Sequence, residues 1–179
     1  MLGTTSPTPE APSQDFPYLP DSARLWIFGV SRPLGPEEEE RLLVRVDAFL
    51  EEWRAHGDPL SAARDWRYGR FLLVAVDDRI TPPSGCSIDA LVRQLRGLEE
   101  ELDVEIVGGA PVWYRGEGTE DGPIRRVSRG EFREEMERGR LGPETVVFDL
   151  SLTRLEELRA RRGGRPARAR WPPRYLPSP

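Results

Sequence analysis

Residues Phe71 to Val76 form an unbroken apolar hexapeptide, Phe-Leu-Leu-Val-Ala-Val, closed by two acids, Asp77 and Asp78. Side chains along a strand alternate between the two faces of its sheet, so a run apolar at every position needs cover on both faces. The run therefore predicts a central strand between two packed layers. A turn-rich loop, Arg79 to Ser84, follows it, and then the small-residue stretch Gly85-Cys86-Ser87-Ile88-Asp89 opens a helix. Ile88, Leu91, Val92, Leu95, Leu98 and Leu102 form the apolar stripe of that helix. Such a strand–loop–helix aims side chains and free N–H groups at the region beyond the strand's carboxyl end, where open α/β sheets hold their ligands.

The other segments read as follows. Arg24 to Val30 predicts a strand. Gly35-Pro36 opens a helix with Glu37 to Glu40 at its positive end. Leu42, Val46, Phe49 and Trp53 form the buried face of this helix, and Gly57 and Pro59 stop it. Residues 58–69 read as a polar connection. Beyond Gly108-Gly109, Pro111 to Arg115 and Ile124 to Val127 predict a hairpin. Ser128 and Glu131 form a capping box for a short helix, Thr145 to Leu150 a strand, and Ser151 the cap of a last helix. The fold expected is α+β or α/β, one mixed β-sheet with packed helices in the order β-α-β-α-β-β-α-β-α. Its domain spans 21–160, with halves at 21–109 and 110–160. Residues 1–20 read as a disordered tail and 161–179 as an arginine- and proline-rich one.

All 26 basic residues are arginine, because the chain of 179 residues contains no lysine. Seven arginines and no acids lie from Arg159 onward, so residues 1–158 carry 19 arginines against 31 acidic residues, a formal −12. An acidic body repels phosphate, which confines any nucleic-acid contact to the 159–174 arginine tail. Without lysine there is neither a phosphate loop nor a Schiff base, so a P-loop ATPase is excluded. One cysteine excludes an internal disulfide, and one cysteine with one histidine makes a zinc site implausible, so no metal site is expected. No apolar run approaches a membrane span and the first twenty residues lack a secretory signal's pattern, so a cytoplasmic protein without membrane contact is expected. No cofactor is indicated.

Cys86 is the only thiol and His56 the only imidazole. A thiol at a helix N-terminus lies in a positive field that favours thiolate, and a nucleophile needs a base, which only His56 can supply. His56 is expected in the last turn of the first helix, where an imidazolium caps free carbonyls. Asp77, Asp78, Ser84, Gly85, Ser87 and Asp89 border the same loop and are the candidate ligand-binding residues. Packing offers a plain alternative for each: a buried Cys86, an Asp77 that caps its turn, and a solvated Asp78.

Trp53-x2-His56-Gly57, Phe71-x3-Ala75-Val76-Asp77, Ser84-Gly85-Cys86-Ser87-Ile88-Asp89 and Thr145-Val146-Val147-Phe148 together resemble a small bacterial family of unassigned activity. Its members often carry the label "ABC transporter ATPase", which the absent Walker motif contradicts here. The resemblance covers about residues 17–160 and implies a site around Cys86 and His56. Separately, Trp113-Tyr114, Gly122-Pro123-Ile124, Phe132, Gly139-Arg140-Leu141 and Thr145-Val146-Val147 are similar to GYF-2-type modules, which bind extended peptides. That similarity implies a protein or peptide partner through 111–150. The expected function is a non-ATPase ligand- or protein-binding domain with its site around Cys86. The alternatives are a Cys86/His56 hydrolase or transferase, and an RNA- or ribosome-associated factor using the basic tail.

Overall fold

The computed structural model describes residues 16–109, 111–116, 122–142 and 145–160. Its elements are β1 (Arg24–Val30), α1 (Pro36–Glu52), β2 (Arg54–Ala55), β3 (Asp58–Pro59), β4 (Ala62–Arg67), β5 (Phe71–Val76), α2 (Gly85–Leu102), β6 (Ile106–Val107), β7 (Val112–Arg115), β8 (Ile124–Val127), α3 (Arg129–Glu137), β9 (Val147–Phe148) and α4 (Leu155–Ala160). The chain is an α+β protein. The strands do not join one mixed sheet: they form a four-stranded antiparallel sheet, β4-β5-β1-β6, a three-stranded one, β8-β7-β9, and the β2-β3 hairpin.

β5 sits inside the larger sheet, and its alternation builds both layers. Leu72, Val74 and Val76 enter the core under α1 and α2, beside Leu42, Val46, Leu91, Leu95 and Leu98. Phe71, Leu73 and Ala75 enter a second core on the opposite face. That face is covered by Trp113, Leu150, Leu152 and Leu155 from the C-terminal half and by Phe16 and Leu19. Packing therefore begins ahead of residue 21, since Phe16 and Leu19 are buried while Tyr18 between them is exposed. The contact between the halves is close at Gly29, where a Cβ atom would overlap the Trp113 ring. A third, smaller core holds Val112, Tyr114, Phe132 and Leu141.

Several expected boundaries move, for physical reasons. The polar connection at 58–69 is largely β3 and β4, since Ala62 and Trp66 face the first core and Ala63 the second. An edge strand needs no apolar run, which hides it from a search for one. α1 ends at Glu52 with Trp53 as its C-cap, and His56-Gly57 is a two-residue hairpin turn with φ of 54° and 93°. Two positive φ values in succession define the tight turn that matches strand twist. The capping box at Ser128 is present, with Ser128 Oγ accepting from Glu131 N at 3.2 Å and the Glu131 carboxylate accepting from Ser128 N at 2.8 Å. Ser151 does not cap α4. The Glu157 carboxylate accepts the N–H groups of Thr153 and Arg154 at 2.8 and 2.9 Å instead. The expected tails at 1–15 and 161–179 lie outside the described residues. Arg159, the first tail arginine, is bound to the body through the carbonyls of Phe16 and Leu19 at 2.9 and 3.0 Å.

Candidate functional site

Strand β5 carries a buried charge at each end. Asp77 at its carboxyl end is 4% exposed and Arg70, just before its amino end, is 6% exposed. Burying an ion is costly unless it is neutralised or well hydrogen-bonded.

Asp77 is neutralised. Arg79 Nε and Nη2 donate to its two carboxylate oxygens at 2.9 Å each, and the Arg79 backbone N–H donates at 3.2 Å. The Arg79 hydrogen bonds hold the Asp77 carboxyl below the usual aspartate range. Asp78 is paired too, with Arg154 at 2.7 Å. Each acid therefore carries an arginine counter-charge. Ser84 caps α2, its Oγ accepting from Ser87 N at 3.2 Å, while the Ser87 hydroxyl donates to the Ser84 carbonyl at 2.8 Å. Ser87 is buried, and its carbonyl accepts from Trp53 Nε1 at 2.8 Å, which ties the β2–β3 hairpin to the first turn of α2. Gly85, Cys86 and Asp89 are exposed. His56 is not on α1 but at the exposed tip of that hairpin, and no hydrogen bond joins it to Cys86 among the described residues. No cluster of three or more His, Cys, Asp or Glu able to hold a metal occurs among the described residues.

Arg70 is held differently. Its Nε, Nη1 and Nη2 donate to the carbonyls of Val30, Ile124 and Ser31 at 3.0, 3.2 and 2.9 Å. Its guanidinium lies over the Trp113 ring, 5.1 Å from the centroid, and Arg126 lies 5.9 Å from the same ring. No carboxylate pairs with Arg70 among the described residues. Burial, and then the like charge of Arg126, pull its guanidinium below the usual arginine value. Three of its five N–H groups are accounted for by the carbonyls.

Arg70 borders a groove of about 840 Å³ between the main sheet and the C-terminal half, lined also by Ser31, Tyr114, β8 and the Glu131, Glu134, Glu135 and Arg138 side of α3. The acids of that wall are already engaged. Glu131 closes the capping box, Glu134 pairs with Arg138 at 3.1 Å, and Glu135 pairs with Arg140. Arg126 pairs with Glu105. Arg125 adds a weaker electrostatic pull on Glu135, so among these arginines Arg70 alone remains without a carboxylate among the described residues. The groove also runs along the outer edge of β8, which pairs with no further strand among the described residues. Gly116 N donates to Pro123 O across the hairpin, so antiparallel alternation turns Ile124 and Arg126 outward. The hydrogen bond from Arg70 to the Ile124 carbonyl agrees with that orientation.

Arg70 escapes a search for motifs, since the one signal in the sequence is a charge set directly against an apolar strand. Its three acceptors are 39, 40 and 54 residues away. No protein-family model, curated protein or solved structure matches this chain. No helix among the described residues is long and apolar enough to cross a membrane.

Proposed function

We propose that this protein is a peptide-binding module that seats an extended chain along the outer edge of β8. The observation that carries this reading is the outer β8 edge, which pairs with no further strand among the described residues and opens, beyond the Ile124 carbonyl held by Arg70, onto a groove of about 840 Å³. Strand addition recognises a peptide through backbone hydrogen bonds and leaves side chains to alternate into flanking pockets. Arg126 offers outward backbone groups for such pairing, and Tyr114 and Val127 offer apolar wall. The volume lies within the range of ordinary ligand sites. The test is selection of random octapeptides on the full-length chain, followed by amide-shift mapping of a selected peptide. Shifts should gather at Ser31, Arg70 and Ile124 to Val127. A library that yields no binder, or shifts gathered at Ser84 to Ile88, would overturn the proposal.

A second reading, a thiol-dependent hydrolase or transferase, draws on one observation: the Cys86 thiol is exposed in the first turn of α2. Its test is the labelling rate described below.

A further inference from the structure

We propose a second recognition site, a notch in the main sheet that takes the carboxyl terminus of a peptide chain. It does not depend on the β8 reading. The edge of β1 that faces β6 is paired at both ends but not in the middle. At one end Gly29 and Val30 pair with Val107 and Ile106, and Ser31 N donates to Glu105 O at 2.8 Å. At the other, Leu25 N donates to Thr153 O at 2.8 Å, and Arg24 bridges to Arg154. Backbone groups alternate between the two edges of a strand, so Ile27 turns its N–H and C=O to the same edge as Leu25 and Gly29. Neither group meets a hydrogen-bond partner among the described residues. A notch of about 410 Å³ opens there, lined by Arg24 to Phe28, Gly108-Gly109 and Leu150 to Arg154. Two glycines keep it open. Neither Gly108 nor Gly109 has a positive φ, so the backbone does not require glycine at either position. Within 4 Å, a Cβ atom on Gly108 would meet only the Ile27 carbonyl, at 3.8 Å, and one on Gly109 only the Leu150 carbonyl, at 3.9 Å. Both are ordinary contacts, so packing does not require glycine either, and a side chain at Gly108 would stand over the Ile27 carbonyl. Pairing at both ends closes the notch to a strand that runs through it. A chain end fits, and its last peptide group can exchange both hydrogen bonds with Ile27. The charge selects which end. Arg24 and Arg154 are the charged residues that line the notch, and no acid lines it among the described residues. Asp78 answers Arg154 at 2.7 Å, whereas no carboxylate pairs with Arg24 among the described residues. The Arg24 guanidinium lies 4.8 Å from the centroid of the Trp26 ring, next to Ile27 along the strand. The acids that flank the 150–154 segment are held by other donors: Asp149 accepts from the Ser151 N–H and hydroxyl, and Glu157 from the Thr153 and Arg154 N–H groups. A carboxylate therefore suits the notch better than an ammonium group.

The probe is a library of acetylated tetrapeptides ending in Val, Leu or Phe, each made with a free and with an amidated C-terminus. It is titrated into the full-length protein and followed by amide shifts. Shifts should gather at Ile27, Gly108, Gly109 and Thr153, and the free acids should bind about 10-fold tighter or more than their amides, as expected for a charge-assisted contact. Before any peptide is added, the Ile27 amide should exchange with solvent faster than those of Leu25 and Gly29, and the peptide should slow it. Arg24→Gln should bring acid and amide to equal affinity without weakening the amide. Gly108→Ala should abolish binding of both forms while the urea midpoint stays close to wild type. Arg24→Gln keeps the test available if the change at Gly108 disturbs folding. An Ile27 amide as protected as Leu25 in the free protein would show that the edge is already filled and would overturn the site. Equal binding of acids and amides by the wild type would overturn the carboxylate assignment. Peptides that bind as tightly when lengthened beyond the last residue would overturn the chain-end assignment. Acetylated single amino acids binding as tightly as the tetrapeptides would overturn the peptide in favour of a small acyl amino acid. Binding confined to Ile124 to Val127, or no binding at all, would overturn the notch as a site, and the first of these would leave the β8 reading standing.

Discussion

Arg70 and Asp77 flank the same six-residue strand and are nearly equally buried, yet they are stabilised in opposite ways. Asp77 takes its counter-charge from two residues along the chain, in a fork that closes the turn after β5. Arg70 takes its partners from the end of β1 and from β8, and they bring hydrogen bonds but no charge. A buried ion with a complete local partner is a structural device. A buried ion that borders a groove without a counter-ion among the described residues leaves electrostatic energy for something else to supply. That contrast moves the candidate site from the carboxyl end of β5, where the strand–loop–helix pattern pointed, to its amino end.

The sharpest test of the contrast is Trp113, whose ring lies against the Arg70 guanidinium. Trp113→Ala should destabilise the protein by about 3–5 kcal/mol in urea unfolding, the usual range for emptying a large aromatic site. A loss below about 1 kcal/mol would mean that the two halves do not depend on this contact. Next in size, Arg70→Met should cost about 1–3 kcal/mol, because the Val30, Ser31 and Ile124 carbonyls lose their donors. An unchanged unfolding midpoint would show that water satisfies them equally well.

The two ends should also separate by pH. Asp77 has a folded-state pKa below its unfolded value, so its stabilisation is fully present above about pH 4 and is lost as pH falls through the lower folded value. Arg79→Ala should therefore weaken the protein at neutral pH, and the difference from wild type should shrink as the solution is acidified below about pH 4. The Arg70→Met difference should stay level over the same window, since a guanidinium does not titrate there. Glu38 adds to the acid limb, with its carboxyl lowered from 4.5 to about 2 by its hydrogen bonds with Arg32 and Gly35 N. Glu38→Gln should flatten the stability profile between those values. A parallel fall of the Arg70→Met and Arg79→Ala differences would break the comparison.

The smallest effect is expected at Cys86. Its exposed thiol should label with iodoacetamide without denaturant, and His56→Ala should change the rate by less than about 2-fold. Strong slowing in that variant would restore the carboxyl end of β5 as the reactive site, with His56 acting on the thiol.

Much of the fold was legible in the chain because local rules govern it. The two-faced apolar run of β5, the proline and acids that open α1, the Ser128 cap and the leucine stripe of α2 each carry their cause within a few residues. β4 was not legible, because an edge strand hydrogen-bonded on one side tolerates Arg64, Asp65 and Arg67. The end of α1 was missed because a tight hairpin at His56-Gly57 uses the same Gly and Pro that also stop helices.

The sequence by itself determined that the protein combines helices and strands, as α+β or α/β, that β5 is covered on both faces, that lysine chemistry and a phosphate loop are absent, and that Asp77 lies at a strand end beside a helix start. Tertiary structure alone decided which charges are answered. Asp77 meets Arg79 within its own turn, whereas Arg70 meets only carbonyls and an indole gathered from distant segments. Charge neutralisation in a core depends on what folding brings within hydrogen-bond distance, and for Arg70 no stretch of neighbouring residues encodes that environment.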